Sequence, residues 1–313
     1  MKKLAPNYYK NFSCIADRCQ HSCCIGWEID IDEDTLSYYE SINGEFGEFL
    51  SKNIENNGET AHFRLVGKEE RCPFLQENGL CKMILTLGEE SLCHICREHP
   101  RFYHEFSDHE EVGLGLCCEE AARLILSQED ETFLETLEDD GIAEKTDPWE
   151  EALISKRESI FSILSNHKKS IEVRATEMLT QNHIIFPQKS PSEWCEILSD
   201  LEQLDPTWSK ALETLPNARE ADFTEFELSF EKLLTYFVYR HTADAMDEED
   251  LTSRIAFAYL GYHIIRLLCS AKKEIEGKCT FSDLTDLARR FSSEIEYSEE
   301  NTEILLEILQ NCE

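Results

Sequence analysis

The sequence predicts a mainly α-helical protein in which a cysteine-rich, metal-binding N-terminal region is packed on a C-terminal helical domain. Three observations support this fold class. The 313 residues include only 12 glycines and 8 prolines, which is few for a β-protein with many tight turns. Ten of the 14 cysteines lie within the first 118 residues. The second half of the chain repeats its apolar residues at helical spacing.

The N-terminal region consists of short periodic pieces that are interrupted by cysteines. The alternation over Trp27–Asp32 predicts a short β-strand. Asp32 is then placed to cap a helix that carries Leu36 and Tyr39. The pieces are too short to bury much apolar surface, so we expect ligands to organise this region as much as a hydrophobic core does.

The C-terminal half is predicted to be a set of helices. The stretch Phe226–Val238 has apolar residues on one helical face, and Ile255–Cys269 is apolar on nearly every side, which predicts a buried central helix. Thr280 and Asp283 have the spacing of a capping box that opens another helix. A last amphipathic stretch covers Glu303–Leu309.

An acidic segment separates the two halves. Glu129–Glu151 holds 11 acidic residues and only Lys145 as a base, which is typical of a solvated connecting segment. We therefore predict a cysteine-rich iron–sulfur or zinc-binding region over residues 1–128. The acidic connecting segment covers residues 129–151, and the helical domain covers residues 152–313.

The overall charge excludes some partners. The chain has 64 acidic and 30 basic residues, a net charge of −34, so its surface repels phosphate backbones and we expect no nucleic-acid partner. A partner or substrate that presents lysines would suit this charge. The sequence shows neither a signal peptide nor a long apolar run, so we expect a cytoplasmic protein without a membrane partner.

The cysteines occur in groups, which indicates thiolates gathered around a metal more than scattered core residues. A disulfide framework is the alternative, but thiols stay reduced in the cytoplasm. Four thiolates suit either zinc or an iron–sulfur cluster. Only Cys93-x2-Cys96 and Cys19-x3-Cys23 fit the spacing of a zinc knuckle, and the run Cys14-x4-Cys19-x3-Cys23 resembles cluster spacing more than a zinc knuckle. The groups are Cys14-x4-Cys19-x3-Cys23-Cys24, Cys72-x8-Cys81, Cys93-x2-Cys96 and Cys117-Cys118.

Several short motifs accompany these cysteines. They are Phe12-Ser-Cys14, Cys19-Gln-His-Ser-Cys23-Cys24-Ile-Gly-Trp27, Cys72-Pro-Phe-Leu75, Gly79-Leu-Cys81, Cys96-Arg-Glu-His-Pro100-Arg101, Cys118-Glu-Glu120-Ala-Ala-Arg-Leu124 and Tyr236-Phe-Val-Tyr-Arg240. Together they resemble the flagellin lysine-N-methylase family, within the wider group of proteins that carry a Cys-rich zinc- or iron-chelating motif. The resemblance covers most of the chain, and its cysteine signature is the specific part.

The resemblance implies an S-adenosylmethionine-dependent protein-lysine N-methyltransferase that acts on flagellin and contains an iron–sulfur cluster. A 4Fe-4S cluster is expected, with zinc as the alternative metal. Cys93 and Cys117 are additional to the family pattern, and Glu119 stands where proline is expected. The thiols that match the pattern, and are therefore the predicted metal ligands, are Cys14, Cys19, Cys23, Cys24, Cys72, Cys81, Cys96 and Cys118.

The S-adenosylmethionine site has no glycine-rich signature. Gly113-Leu-Gly115 lacks a third glycine. An arginine can instead hold the cofactor carboxylate through two hydrogen bonds. We predict Arg101, which follows the cysteines, and Arg240, on the matching helix, as cofactor-binding residues.

The catalytic residue stays unassigned. A lysine substrate has a pKa of about 10.4, so a nearby carboxylate or phenolate must handle its proton. Glu28, Glu120 and Tyr236 are the candidates. Two other functions remain open at this point: a non-catalytic zinc- or iron-chelating protein, and a redox-sensing thiol protein.

Overall fold

The computed structural model describes residues 1–56, 58, 60–142 and 145–310. Within these ranges the protein is mainly helical, which confirms the mainly α part of the predicted fold class; it has thirteen α-helices and seven short strands. The strands are β1 (Lys2–Pro6), β2 (Asp30–Ile31), β3 (Ile54–Glu55), β4 (Ala61–Phe63), β5 (Arg101–Glu105), β6 (His109–Leu114) and β7 (Leu134–Asp139). The helices are α1 (Glu33–Ser41), α2 (Gly44–Lys52), α3 (Lys82–Leu87), α4 (His94–Glu98), α5 (Glu119–Leu126), α6 (Pro148–Leu164), α7 (Ile171–Gln181), α8 (Pro191–Asp200), α9 (Pro206–Leu212), α10 (Glu227–Thr242), α11 (Glu248–Glu276), α12 (Phe281–Phe291) and α13 (Glu299–Gln310).

The chain forms two compact units. The cysteine-rich unit is Ser13–Phe102, and the helical unit combines Met1–Phe12 with Tyr103–Glu313. The boundaries predicted at residues 128 and 151 both fall inside the helical unit, and the three-segment organisation stays a prediction. Ala143 and Glu144 of the acidic segment, together with Cys312, lie outside the described residues.

The cysteine-rich unit has a three-stranded antiparallel sheet in the order β2-β4-β3. As predicted, a short strand precedes α1, and the Asp32 side chain caps that helix by accepting a hydrogen bond from the Thr35 amide at 3.0 Å. Tyr39, Phe63 and Phe74 are buried, and the last two rings meet edge to face at 4.9 Å. This small aromatic core supports the loops that carry the cysteines.

The helical unit begins with a four-stranded sheet in the order β5-β6-β1-β7. Strand β1 runs parallel to β6 and antiparallel to β7, with Leu4 opposite Glu111 and Thr136. The acidic segment Glu129–Glu151 therefore contributes a strand to this sheet, and α6 begins at its end. The Tyr239 hydroxyl of α10 donates to the Val112 carbonyl of β6 at 3.2 Å, so the central helices pack on the sheet.

Helices α10 and α11 form the centre of the helical unit. Gly261 of α11 allows the close crossing, because a Cβ there would lie 2.8 Å from the Phe237 ring of α10. The predicted buried stretch Ile255–Cys269 lies within α11. Thr280 and Asp283 form the predicted capping box at the start of α12. In the part of the chain that the structure describes, no helix combines the length and apolar character needed to cross a bilayer.

Candidate metal centre

Five cysteines of the cysteine-rich unit belong to one packed group, which we call the thiol cluster. Cys72 and Cys93 lie within the buried core of the unit, and Cys24, Cys81 and Cys96 pack against that core. All five are reduced thiols. Cys72 and Cys93 are buried and the other three are partly buried, so burial opposes ionisation of these thiols.

Short backbone contacts bring the first three thiols together. The Cys72 amide donates to the Cys24 carbonyl at 2.8 Å, which places these two residues side by side. The chain then turns back on itself, and the Gln76 amide donates to the Leu80 carbonyl at 3.0 Å. Cys81 follows this turn and stands immediately before α3. A local fold of the chain thus collects residues 24, 72 and 81.

Cys93 and Cys96 come from one helix start. Cys93 stands immediately before α4, and Cys96 lies within that helix. The two side chains are hydrogen-bonded, which lowers the pKa of Cys93 and, together with burial, raises the pKa of Cys96. Cys96 therefore keeps the shared proton, and Cys93 is the better thiolate of the pair.

Backbone amides donate to the sulfurs of the cluster. The Cys72 sulfur accepts from Phe74 and Leu75, and the Cys81 sulfur accepts from Met83 and Ile84. The Cys93 sulfur accepts from the Cys96 amide. Such bonds favour the thiolate and are a known means by which proteins tune metal-bound sulfur. They give the cluster the environment of a metal-ligand set.

The negative charges of the thiolates oppose one another. Burial raises the pKa of Cys72 to about 12, with further contributions from Cys24 and Cys81. The pKa of Cys81 is also raised, first by burial and then by Cys24 and Cys93. By contrast, the hydrogen bond with Cys23 lowers the pKa of Cys24 to about 7. Because the charges are mutually unfavourable, a bound cation is what would let all five ionise together.

The predicted metal ligands divide into two sets. Four of them, Cys24, Cys72, Cys81 and Cys96, belong to the thiol cluster. The other four have different surroundings. Cys14 and Cys23 are exposed, Cys19 is half-buried, and Cys118 stands immediately before α5 in the helical unit. The assignment of these eight ligands stays a prediction.

Cys93 is the member of the cluster that the family pattern left out. It is fully buried and hydrogen-bonded to Cys96. The Cys93-x2-Cys96 spacing carried the signal, since two cysteines separated by two residues form the usual metal-binding knuckle. The predicted ligands followed the family pattern, which does not include Cys93, and not this local spacing.

A second set of possible ligands lies on the small sheet of the same unit. Glu28, Asp30 and His62 place one ligand atom each within 4.8 Å of one another. His62 Nε2 lies 3.6 Å from Glu28 and 3.5 Å from Glu55. Exposed carboxylates commonly pair with a histidine without a metal ion, so we assign no ion to this set. A divalent cation bound at this set would compete with the thiol cluster as the explanation of any metal found in the protein.

The two predicted cofactor-binding arginines have different surroundings. Arg101 begins β5, and its Nη1 donates to the carbonyls of Arg97 and Glu98 at 3.3 and 3.5 Å. Arg240 belongs to the helical unit, where it is 12% exposed and pairs with the fully buried Glu296 at 3.4 Å. Their role in binding S-adenosylmethionine stays a prediction.

Arg240 is part of a buried polar group that we call the arginine network: Tyr236, Arg240, His241 and Glu296. Arg240 Nη1 donates to the Tyr236 hydroxyl at 2.9 Å, and that hydroxyl donates to Glu296 at 3.1 Å. His241 Nε2 lies 2.7 Å from Glu296 Oε1. Burial raises the pKa of Tyr236 well above its usual value. The phenol therefore stays protonated, which argues against Tyr236 as a phenolate base.

The arginine network contacts the loop between β6 and α5. The Leu116 amide donates to the Tyr236 hydroxyl at 3.2 Å. A Cβ at Gly115 would collide with the Tyr297 hydroxyl and lie 3.2 Å from Arg240 Nη1. Glycine is therefore required at this position by a close approach of side chains. Glu120, another candidate base, follows this loop on α5 and forms a two-pronged pair with Arg123 at 2.7 and 2.5 Å.

Comparison with known proteins identifies the family. The family model of the FliB lysine N-methylase C-terminal domain matches residues 108–313, which lie within the helical unit. The chain belongs to the FliB lysine N-methylase family. The thiol cluster of this family member precedes the matched range. No solved structure matches the chain.

Three curated relatives share 130 aligned residues, or 40% of this FliB-family chain. The flagellar biosynthetic protein FliU of Salmonella muenchen is 32% identical, and the match covers 77% of its length. The lysine-N-methylases of Salmonella choleraesuis and Salmonella typhimurium are both 31% identical. The match covers only 32% of the length of each of these two enzymes.

Proposed function

We propose that this chain is an S-adenosylmethionine-dependent protein-lysine N-methyltransferase that acts on flagellin and binds an iron–sulfur cluster through its thiol cluster. The family match over residues 108–313 supports lysine methylation as the reaction. The flagellar name of FliU supports a flagellar substrate. The single observation that carries the metal site is the convergence of five reduced thiols, three of which accept backbone amide hydrogen bonds.

We infer an iron–sulfur cluster rather than a single zinc ion from the resemblance to the flagellin lysine-N-methylase family. Zinc holds thiolates at about 2.3 Å, so four of them around one ion lie within about 4 Å of one another. A multi-iron cluster binds each thiolate to a different iron and so accepts wider spacing. Cys24, Cys72, Cys81, Cys93 and Cys96 exceed the four ligands needed.

The residues would fit an iron–sulfur cluster in chemical terms as well. The sulfurs lie against an apolar core that excludes water, and the amide donors favour their ionised form. Cys93, with its lowered pKa, is the most easily ionised of the buried pair. When bound, the cluster would supply a Lewis-acidic, redox-active centre and would fix the loops that carry its ligands.

The protein's own contribution to methyl transfer is electrostatic and positional. The amine of a lysine substrate must lose its proton before it can attack the sulfonium methyl group. A surface with a net charge of −34 attracts lysine-bearing segments and raises the association rate. Tyr236 stays protonated and serves to orient Arg240, so the proton acceptor must be a carboxylate or water.

A methyl-transfer assay tests the proposal. The full chain is purified without oxygen and mixed with cognate flagellin and methyl-labelled S-adenosylmethionine, and the flagellin lysines are then examined by mass spectrometry. We expect methylated lysines whose formation depends on both protein and cofactor. A Cys93→Ala, Cys96→Ala double variant should lose metal and activity together, whereas Cys195→Ala in the helical unit should keep both.

Three results would contradict the proposal. A metal-loaded protein that methylates no lysine of cognate flagellin would exclude the proposed activity. Tight zinc or iron binding with no measurable binding of S-adenosylmethionine would instead support the non-catalytic chelating protein. Reversible disulfides among the five cluster thiols in the metal-loaded protein would support a redox sensor.

A further inference from the structure

Two side chains of α1 hold the segment that carries Cys93 and Cys96. Asp32 stands immediately before α1 and Tyr39 lies seven residues later, so they are about two helical turns apart on one face of the helix. Both side chains reach residues 91–94, where the chain enters α4. These contacts join parts of the chain that are more than 50 residues apart in sequence.

The Asp32 carboxylate divides its two oxygens between two helices. Oδ1 accepts a hydrogen bond from the Thr35 amide at 3.0 Å and so caps α1. Oδ2 accepts a hydrogen bond from the amide of His94, the first residue of α4, at 2.8 Å. Serine or asparagine would also cap α1, but neither offers a second acceptor oxygen. The contact with α4 therefore requires a carboxylate at this position, whereas the cap of α1 does not.

Tyr39 fixes the same segment at a second point. Its buried hydroxyl donates to the Ser91 carbonyl at 2.7 Å and accepts a hydrogen bond from the Cys93 amide. Its ring stacks on Phe63 in the aromatic core of the unit, with 6.2 Å between the ring centres. Tyr39 and Asp32 thus bind two consecutive amides, those of Cys93 and His94.

The positions of two sulfurs depend on this backbone. The Cys93 sulfur accepts a hydrogen bond from the Cys96 amide, and the two cysteine side chains are hydrogen-bonded to each other. Because both residues belong to the first turn of α4, fixing the start of that helix fixes how their sulfurs are presented. A metal site depends on such support, since the surrounding hydrogen bonds orient its ligands.

We infer that Asp32 is a positioning residue for the metal centre, because its second carboxylate oxygen fixes the start of α4 and thereby the Cys93–Cys96 pair. Tyr39 assists it through the Cys93 amide. Asp32 acts through backbone amides and not as a ligand, because both of its oxygens accept amide hydrogen bonds. The inference rests on the proposed function, in which the thiol cluster holds an iron–sulfur cluster.

Asp32 also places a negative charge beside the pair. Although the hydrogen bond with Cys96 lowers the pKa of Cys93, the Asp32 charge acts in the opposite direction. A negative charge near an iron–sulfur cluster disfavours its reduction, because reduction adds a further negative charge. Loss of the Asp32 charge should therefore make the midpoint potential of the cluster more positive, an effect that a purely structural cap would not have.

The test is Asp32→Ser in the full chain, purified without oxygen. Serine keeps the cap of α1 but loses both the second oxygen and the charge. We expect a chelator to remove iron at least about tenfold faster than from the unmodified protein, as for other residues that orient metal ligands. The midpoint potential of the bound cluster, measured by redox titration with electron paramagnetic resonance, should become more positive. Circular dichroism checks that the variant is folded.

Tyr39→Phe separates position from charge. The substitution removes the hydroxyl that binds Ser91 and Cys93, and it keeps every charge. Iron should again be released faster than from the unmodified protein. The midpoint potential should shift by less than in Asp32→Ser, because the carboxylate is still present.

Asn53→Ala is the matched control in the same unit. The Asn53 side-chain amide donates to the Phe49 carbonyl at 2.8 Å, so this variant also loses a hydrogen bond at a helix end. That bond belongs to α2 and not to residues 91–94. The rate of iron release should therefore change by less than about twofold.

Two results would overturn the inference, and they can be told apart. Equal rates of iron release from Asp32→Ser and Asn53→Ala, with an unchanged midpoint potential, would exclude the positioning role and leave the proposed function intact. An unmodified protein that binds no iron would contradict both the positioning role and the proposed function.

Discussion

The two units treat their buried ionisable groups in opposite ways. In the helical unit the arginine network is complete, because Glu296 has Arg240 and His241 as partners. Arg157 and Glu111 form a second buried pair, with Nη1 donating to Oε2 at 2.8 Å. In the cysteine-rich unit, burial and then the neighbouring thiols raise the pKa of Cys72 and of Cys81 instead. The chain completes the first kind of site by itself, whereas the cluster thiols would need a bound cation to ionise together.

This difference predicts where the protein depends on metal. The small core of the cysteine-rich unit is built partly from the cluster thiols themselves, including Cys72 and Cys93. If the proposed metal site forms, metal binding and folding should therefore be coupled in this unit. The helical unit has large apolar helices and internal ion pairs, so its stability should be independent of metal.

The largest expected effect is a loss of order in one unit only. Removal of metal by a chelator under anaerobic conditions should accelerate amide hydrogen exchange across residues 13–102, because the thiolates lose the cation that stabilises them. Exchange in α10 and α11 should stay slow. Hydrogen exchange with mass spectrometry measures both units in one sample. An equal acceleration of hydrogen exchange in both units would contradict the proposed difference in their dependence on metal.

A single thiol should reproduce much of this loss. Cys93→Ser replaces a buried ligand by a hydroxyl that binds soft metals poorly, so the metal-dependent part of the thermal stability should largely disappear. Cys195→Ser is the control, since Cys195 lies in the helical unit and donates to the Leu212 carbonyl at 3.2 Å. Differential scanning calorimetry with and without chelator compares the two. A chelator response of normal size in Cys93→Ser would exclude Cys93 as a ligand.

A change in the arginine network should act on stability without acting on metal. Glu296→Gln keeps the shape of the side chain but leaves Arg240 without its buried counter-charge, which should cost about 3–5 kcal/mol of unfolding free energy. Glu300→Gln, at an exposed position of α13, should change it by less than about 0.5 kcal/mol. Urea unfolding measures the energies. Loss of metal from Glu296→Gln would show that the two units are not independent in this respect.

The smallest expected effect is a pH dependence at a neighbouring glutamate. Burial raises the pKa of Glu294 to about 7, against the amide hydrogen bonds from Leu204 and Asp205. A raised pKa contributes stability that is complete below the unfolded pKa of about 4.5 and is lost as pH rises through 7. The thermal midpoint should therefore fall between pH 5 and 8 by more in the unmodified protein than in Glu294→Gln.

Glu296 should give a pH dependence of stability with the opposite sign in the same experiment. Although burial opposes it, Arg240 and the hydrogen bond with His241 lower its pKa to about 2. Its stabilising contribution is present above the unfolded pKa and should disappear as pH falls toward 2. Identical pH profiles for the unmodified protein and Glu294→Gln would contradict the assignment for Glu294.

Local signals in the sequence were sufficient for much of the fold. The cap at Asp32, the box at Thr280 and the buried helix Ile255–Cys269 depend on residues within one or a few turns. The pairing of β1 with β6 joins residues 2–4 to residues 109–111, and no local pattern encodes such a distant contact. Side-chain periodicity therefore predicted the helices and left the sheet of the helical unit unassigned.

The candidate site shows the same limit. Spacing and family resemblance located Cys24, Cys72, Cys81 and Cys96, which the structure packs together. The inclusion of Cys93 depends on the turn that starts α4 and on its hydrogen bond with Cys96. A sequence motif records which thiols relatives share, but the buried cluster also depends on how loops that are distant in sequence meet.

The most direct measurement is the iron, zinc and inorganic sulfide content of the full chain purified without oxygen, for the unmodified protein and for His62→Ala. We expect a brown protein with iron and sulfide in similar amounts, unchanged by His62→Ala, if the thiol cluster holds the metal as proposed. Colourless protein with stoichiometric zinc and no sulfide would contradict it. Loss of the metal in His62→Ala would contradict it as well, by placing the ion at Glu28, Asp30 and His62.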